Sequence, residues 1–176
     1  MANAGSISAF KEKYKVYITA GITAWIIFLF IHPVGVNGEA MSPTLDDGQV
    51  VIVSKQHYTR EAPDLYQVVD FNKDFADTGG NNANEIRRVV GLPGDKIGIK
   101  NGIVYRNGKA IKAPYDKVND GEEMKAVKLK EGEIFVLGDD PAESIDSRQI
   151  GPLKMSDLRG KCSWIIWPLS NWGTVI

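Results

Sequence analysis

Three short segments of this 176-residue chain gather residue types that do acyl-transfer chemistry. The first is Gly38-Glu39-Ala40-Met41-Ser42-Pro43-Thr44-Leu45, and the second is Arg87-Arg88-Val89-Val90-Gly91-Leu92-Pro93-Gly94-Asp95. The third is Gly138-Asp139, then Ser144, then Asp146-Ser147-Arg148 and Gly151. A serine hydroxyl attacks a carbonyl well only when a base takes its proton. Lysine is such a base when burial and neighbours depress its pKa toward neutrality. An arginine guanidinium keeps its proton in proteins and cannot be one. The methyl group of Ala40 has no attacking atom. Cysteine and histidine chemistry has little to work with. One cysteine, Cys162, excludes an internal disulfide framework and a Cys-based zinc site. It reads as a small hydrophobe beside the Trp-Ile-Ile-Trp run. His32 and His57 are the only histidines, one ending an apolar run and one in a polar stretch. No metal and no cofactor is expected.

These segments need a scaffold, and the chain supplies an apolar run followed by many short strands. Lys and Arg number 21 against 22 Asp and Glu, a net charge of −1, so nucleic acid has no electrostatic claim on the chain. No charged residue falls in the 23 positions between Lys15 and Glu39. A membrane span needs ~20 mostly apolar residues. The expectation is a cytoplasmic segment 1–15, a transmembrane signal-anchor helix 16–33, and an extracytoplasmic domain 34–176. Lys11, Lys13 and Lys15 on the N-terminal side set that orientation, in the cell membrane, with a single pass. A buried core helix fits less well, because the run is hydrophobic all round and has a basic flank. A cleaved secretory signal fits less well too, because no small-x-small site follows directly.

Pro33 and Gly35 should end the helix and leave Val34 to Gly38 extended. Strands are predicted at Gln49–Ser54, Gln67–Phe71, Glu85–Val90, Lys96–Lys100, Ile103–Arg106, Glu133–Leu137 and Lys161–Trp167. Asn101-Gly102 and Asn107-Gly108 are hairpin signals. Residues 72–84 read as a flexible loop, 114–130 as a charged loop, and Met155–Leu158 as a short helical turn. The pattern predicts a mainly β, barrel-like domain.

Taken together, the three segments resemble the signal peptidase I family, of the Ser/Lys type. Its patterns run Gly-x-Ser-Met-x-Pro-Thr, then Lys-Arg-x-x-Gly-x-Pro-Gly-Asp, then Gly-Asp-Asn followed by Ser-x-Asp-Ser-Arg and Gly. The resemblance implies coiled antiparallel sheets on the outer membrane face and a serine endopeptidase that cleaves signal peptides after a small-x-small sequence. It implies that position 40 holds the nucleophile, position 87 the general base, and Ser144 the group that orients the base. It implies oxyanion donors at the position-40 N–H and around Gly38. Met41, Leu45 and Ile86, with Gly38, match substrate-binding positions, though ordinary core explains those side chains equally well. Asp146 and Arg148 match a structural ion pair, with Arg88 as a partner.

The chain departs from the family where the chemistry happens. Ala40 removes the nucleophile and Arg87 replaces the base. Asp140 stands where asparagine is usual, and Glu143 precedes Ser144. Glu143 or Glu85 is expected to balance the Arg87 charge. Ser42 is a poor substitute, being displaced about 6.5 Å along an extended chain. The expectation is therefore a membrane-anchored signal peptidase-like protein that binds peptide without cutting it. Val34 and Val36 would pair with the bound segment as an added strand. Relatives lacking the dyad act as accessory factors in pilin polymerisation beside a sortase. The implied partners are extended peptide, preprotein or pilin segments, a sortase, and membrane lipid around the N-terminal helix. The alternative is a signal peptidase I inactivated by a Ser-to-Ala change at position 40. A purely structural envelope domain is the third reading.

Overall fold

The computed structural model describes residues 4–55, 62–72, 84–111 and 118–175, without the side chains of 4–13 and 27–29. His57, the side chains of Lys11 and Lys13, and most of the loop expected at 72–84 lie outside the described residues. The chain opens with helix α1, Ala4–Phe30, which passes directly into strand β1, Ile31–Gly35. Proline has no N–H to donate and disfavours helical geometry in the residue before it. Pro33 and His32 therefore belong to the strand, and the helix stops three residues short of the expected 33. It begins well before 16, through the lysine-bearing segment. Tyr14, Val16, Tyr17, Ile18, Ile22, Trp25, Ile26 and Phe30 are exposed along it. Among the described residues, no helix is long and apolar enough to cross a membrane.

The rest is antiparallel sheet. In order come β2 (Val50–Lys55), β3 (Val68–Asn72), β4 (Asn84–Gly91), β5 (Lys96–Lys100), β6 (Ile103–Arg106), β7 (Lys109–Ala110), β8 (Met124–Lys128) and β9 (Glu133–Leu137). A one-turn helix α2 (Ser147–Ile150), then β10 (Leu153–Lys154), β11 (Leu158–Trp167) and β12 (Gly173–Thr174) complete the chain. One sheet runs β1-β2-β11-β3-β4-β9-β10, with β12 beside β11, and a second runs β7-β6-β5-β8. The expected mainly β domain is present. Both hairpin signals hold, with Asn101, Gly102, Asn107 and Gly108 all at φ between 50 and 79°. Positive φ at both central residues is what a type I′ turn requires.

Two strand expectations need correction. The segment 114–130 is not all loop, because it contains β8. Four of the five β8 residues are exposed, so no apolar alternation marks them. The last strand starts at Leu158, three residues earlier than expected, and Pro168 follows its end. A core cluster under the first sheet joins Val34, Val36, Met41, Leu45, Val51, Val53, Val68, Ile86, Cys162 and Ile165. Four of these, Val34, Val36, Met41 and Leu45, come from the first motif and its approach, so the site segment is anchored by its own hydrophobic side chains.

Candidate functional site

The first motif follows β1. The ladder continues for one residue as Val36 N–H donates to Gln49 O at 2.8 Å. Gly38 then takes φ +78°, a backbone conformation that side chains disfavour, and its N–H donates to Asp47 Oδ1 at 2.8 Å. From Glu39 the chain coils, with Ser42 N–H on Glu39 O at 2.9 Å and Leu45 N–H on Met41 O at 2.8 Å. The Ser42 hydroxyl turns to Asp46 Oδ1, 3.5 Å away.

The second motif lies on β4. Asn84 to Arg88 pair with β3, but pairing with β9 starts only at Arg88. The other edge of residues 84–87 is left outside that ladder. It faces the first motif across a cleft lined by Val36, Asn37, Gly38, Ala40, Met41, Asn84, Glu85, Ile86 and Arg87. Positions 40 and 87 thus share one cleft. Gly38, Met41 and Ile86 line it as well. Leu45 does not line it and is fully buried in the core.

The third motif closes the site from behind. Asp140 N–H donates to Ala40 O at 3.1 Å. Gly138 lets these two turns approach: a Cβ there would run into the Ser144 side chain and stand 2.6 Å from Ala40 O. Ser144 is buried, and its Oγ has no hydrogen-bond partner among the described residues. The Ala40 N–H likewise has no partner among the described residues. By contrast, the Gly38 N–H expected near an oxyanion is committed to Asp47.

Arg87 is buried and engaged on all sides. Its Nε donates to Ile145 O at 3.0 Å, its Nη1 to Ile86 O at 2.7 Å, and its Nη2 lies 3.1 Å from Glu85 Oε2. Burial lowers the Arg87 pKa, while the Glu85 and Asp146 carboxylates push it back up. Burial raises the Glu85 pKa, and Arg87 opposes that rise. Of the two carboxylates expected to balance Arg87, Glu85 does so, and Glu143 is exposed. This pair puts a fixed cation at the position where the sequence resemblance implies a base.

The bracing ion pairs divide differently from the sequence expectation. Asp146 and Arg148 do pair, at 2.9 Å, and Glu122 joins Arg148 at 3.0 Å. Arg88 is not the partner of that pair. It grips Asp139 with both ends, Nε to Oδ1 at 2.9 Å and Nη2 to Oδ2 at 2.6 Å. It also reaches Thr44 Oγ1 at 3.2 Å and Tyr66 O at 2.9 Å. The reason is register: Arg88 lies opposite Leu137, two residues before Asp139. Asp146 instead caps α2 and accepts from the Gly138 N–H at 3.0 Å. Sequence reasoning did not foresee Asp139 as the partner of Arg88, or Asp47 as the acceptor for Gly38. Both are carboxylates in motif-bearing turns, which is the one signal that pointed to them.

The protein-family model described as "Signal peptidase, peptidase S26" matches residues 10–167 of the chain. The chain is 34% identical over 159 residues to signal peptidase I of Bacillus caldolyticus, covering 82% of this chain and 84% of that protein. It is 30% identical over 183 residues to signal peptidase IB of Staphylococcus aureus, covering 92% and 93% of the two chains. Among solved structures, a signal peptidase I from Enterococcus faecalis matches with a TM-score of 0.47 and 23% identity, over 57% of this chain and 97% of that one.

Proposed function

Given that the chain belongs to the signal peptidase family, peptidase S26, we propose that it is a membrane-anchored member that holds an extended peptide without cutting it. The observation that carries this reading is the state of Arg87. Its guanidinium is paired with Glu85 and bonded to two main-chain carbonyls, beside an alanine at the nucleophile position. A guanidinium does not accept a proton from an alcohol. The parts that hold a peptide remain. The edge of Asn84–Arg87 that lies outside the β9 ladder, where Ile86 O already accepts from Arg87, and the Ala40 N–H, unpartnered among the described residues, line the same cleft and suit main-chain pairing with an extended segment. The proposed partners are preprotein or pilin segments, the latter in polymerisation beside a sortase.

Anchoring is part of the proposal. The exposed apolar side chains of α1, with Trp164, Trp167, Leu169 and Trp172 exposed on the domain, suit a lipid environment and its interface. The domain then lies on the extracytoplasmic side.

A second reading is a signal peptidase I endopeptidase disabled by the single change at position 40. The names of the relatives favour it. Cleavage assays on a preprotein with a small-x-small site separate the two. The proposal expects Ala40→Ser to be inert, with cleavage appearing, if at all, only when Arg87→Lys is added. Efficient cleavage by Ala40→Ser alone would overturn it.

A further inference from the structure

The second sheet sends Ile97, Ile99 and Val104 into a core cluster. Side chains alternate along a strand, so its other face carries Lys96, Gly98 and Lys100 of β5. On that face Lys96 lies directly opposite Lys128, and Gly98 opposite Tyr105. Like charges directly opposed on neighbouring strands are destabilising. Lysines on an edge strand commonly guard it against unwanted pairing. That accounts for Lys125 and Lys128 on β8 but not for Lys96 and Lys100, because β5 is an interior strand. Residues 96–130 hold nine Lys and Arg against four Asp and Glu, a surplus of five in a chain of net charge −1. Lys96, Lys100, Lys109, Lys125 and Lys128 are exposed, and among the described residues none has an ion-pair partner.

The lysines flank a groove of about 430 Å³. Gly98 and Ala126 floor it, and Tyr105, Met124, Lys100 and Glu123 wall it. Its one acid, Glu123, is turned to the Asn101 N–H at 2.8 Å. β8 is the outer strand of the sheet, and among the described residues its second edge pairs with no strand. The face shares no residue with the cleft of Ala40 and Arg87.

We propose that this face binds an acidic polypeptide segment that adds to β8 as a further strand. An apolar side chain of the segment reaches across Ala126 into the Gly98–Ala126 groove, and carboxylates flank it, one facing the Lys96–Lys128 pair and one facing Lys100. Charge complementarity selects an acidic occupant. A strand edge unpaired among the described residues, beside a groove with room for an apolar side chain, selects a polypeptide over a lipid headgroup, which uses neither.

The test takes the full-length chain in zwitterionic lipid nanodiscs and a blocked probe peptide, Glu-Thr-Phe-Thr-Glu, whose Glu, Phe and Glu fall on one face of a strand. Binding is read by fluorescence anisotropy. The expected result is saturable binding that Lys96→Glu and Lys128→Glu each weaken by about tenfold or more. The same peptide with lysine in place of glutamate should not bind. Lys96→Glu should also raise the melting temperature, because it turns a repulsive pair into an attractive one, so lost binding cannot be charged to misfolding. Equal binding by the lysine peptide, or unchanged binding by both variants, overturns the proposal. So does lysine-dependent binding of vesicles containing anionic lipid without peptide binding, which would assign the face to a membrane surface. Lysine-dependent dimerisation without peptide binding also overturns it, in favour of a second copy of the chain.

Discussion

Ser144 and Asp139 make opposite predictions, although both lie in the third motif. The Ser144 hydroxyl is buried and unpartnered among the described residues, and an unsatisfied buried hydroxyl costs free energy. In a working Ser/Lys site it would meet the base amine; here the cation at position 87 bonds Ile145 O instead. Ser144→Ala should therefore leave stability unchanged or raise it by about 1 kcal/mol, as read by urea unfolding. Asp139 is the other half of a buried fork with Arg88. Removing it strands a cation, so Asp139→Ala should cost about 3 kcal/mol in the same assay. The sequence made positions 40, 87 and 144 legible because residue type and spacing are all that a motif needs. It left the choice between Glu85 and Glu143, and the partner of Arg88, to strand register, which the spacing of motifs does not encode.

At the scale of elements, β3 carries an acid that the pattern hides. Asp70 is buried between apolar neighbours, its two oxygens lack hydrogen-bond partners among the described residues, and His32 Nε2 of β1 lies 3.6 Å from Oδ2. Burial pushes its carboxyl up to about 7, aided by Glu85 and opposed by Arg159. A carboxyl whose folded pKa exceeds its unfolded value binds its proton more tightly when folded. Its contribution to stability is complete below the unfolded value and is lost as pH rises toward about 7. Melting temperature should fall between acidic and mildly alkaline pH, and Asp70→Asn should flatten much of that fall. An unchanged slope in the variant would show that other groups carry it. Alternating or continuous apolar runs made β2, β3, β4, β5, β6 and β9 readable. The two-residue strands β7, β10 and β12 are too short to carry a period, and β8 is too exposed.

For the whole molecule, closure depends on the end of the chain. β11 pairs with β2 on one side and β3 on the other, so strands from the first half are joined by the last long one. The site gathers residues 36–45, 84–88 and 138–148 only when that sheet is complete. This arrangement is invisible to local reading, which found the strands but not their order. The helix stands differently: its main contacts are to β1 and β2, and the large apolar side chains described on it are exposed. The full-length chain should therefore remain with the membrane fraction after alkaline carbonate washing. Its release into the supernatant would count against the anchor.

The alanine at position 40 has a further consequence. On the proposed reading, the cleft forms no bond and breaks none, and so has no turnover. Each copy would occupy one partner for as long as that partner stays, and the protein would act by number of molecules, not by rate. Where an active relative shared the same compartment, the two would compete for peptide segments. The balance between holding and processing would then be set by their relative abundance.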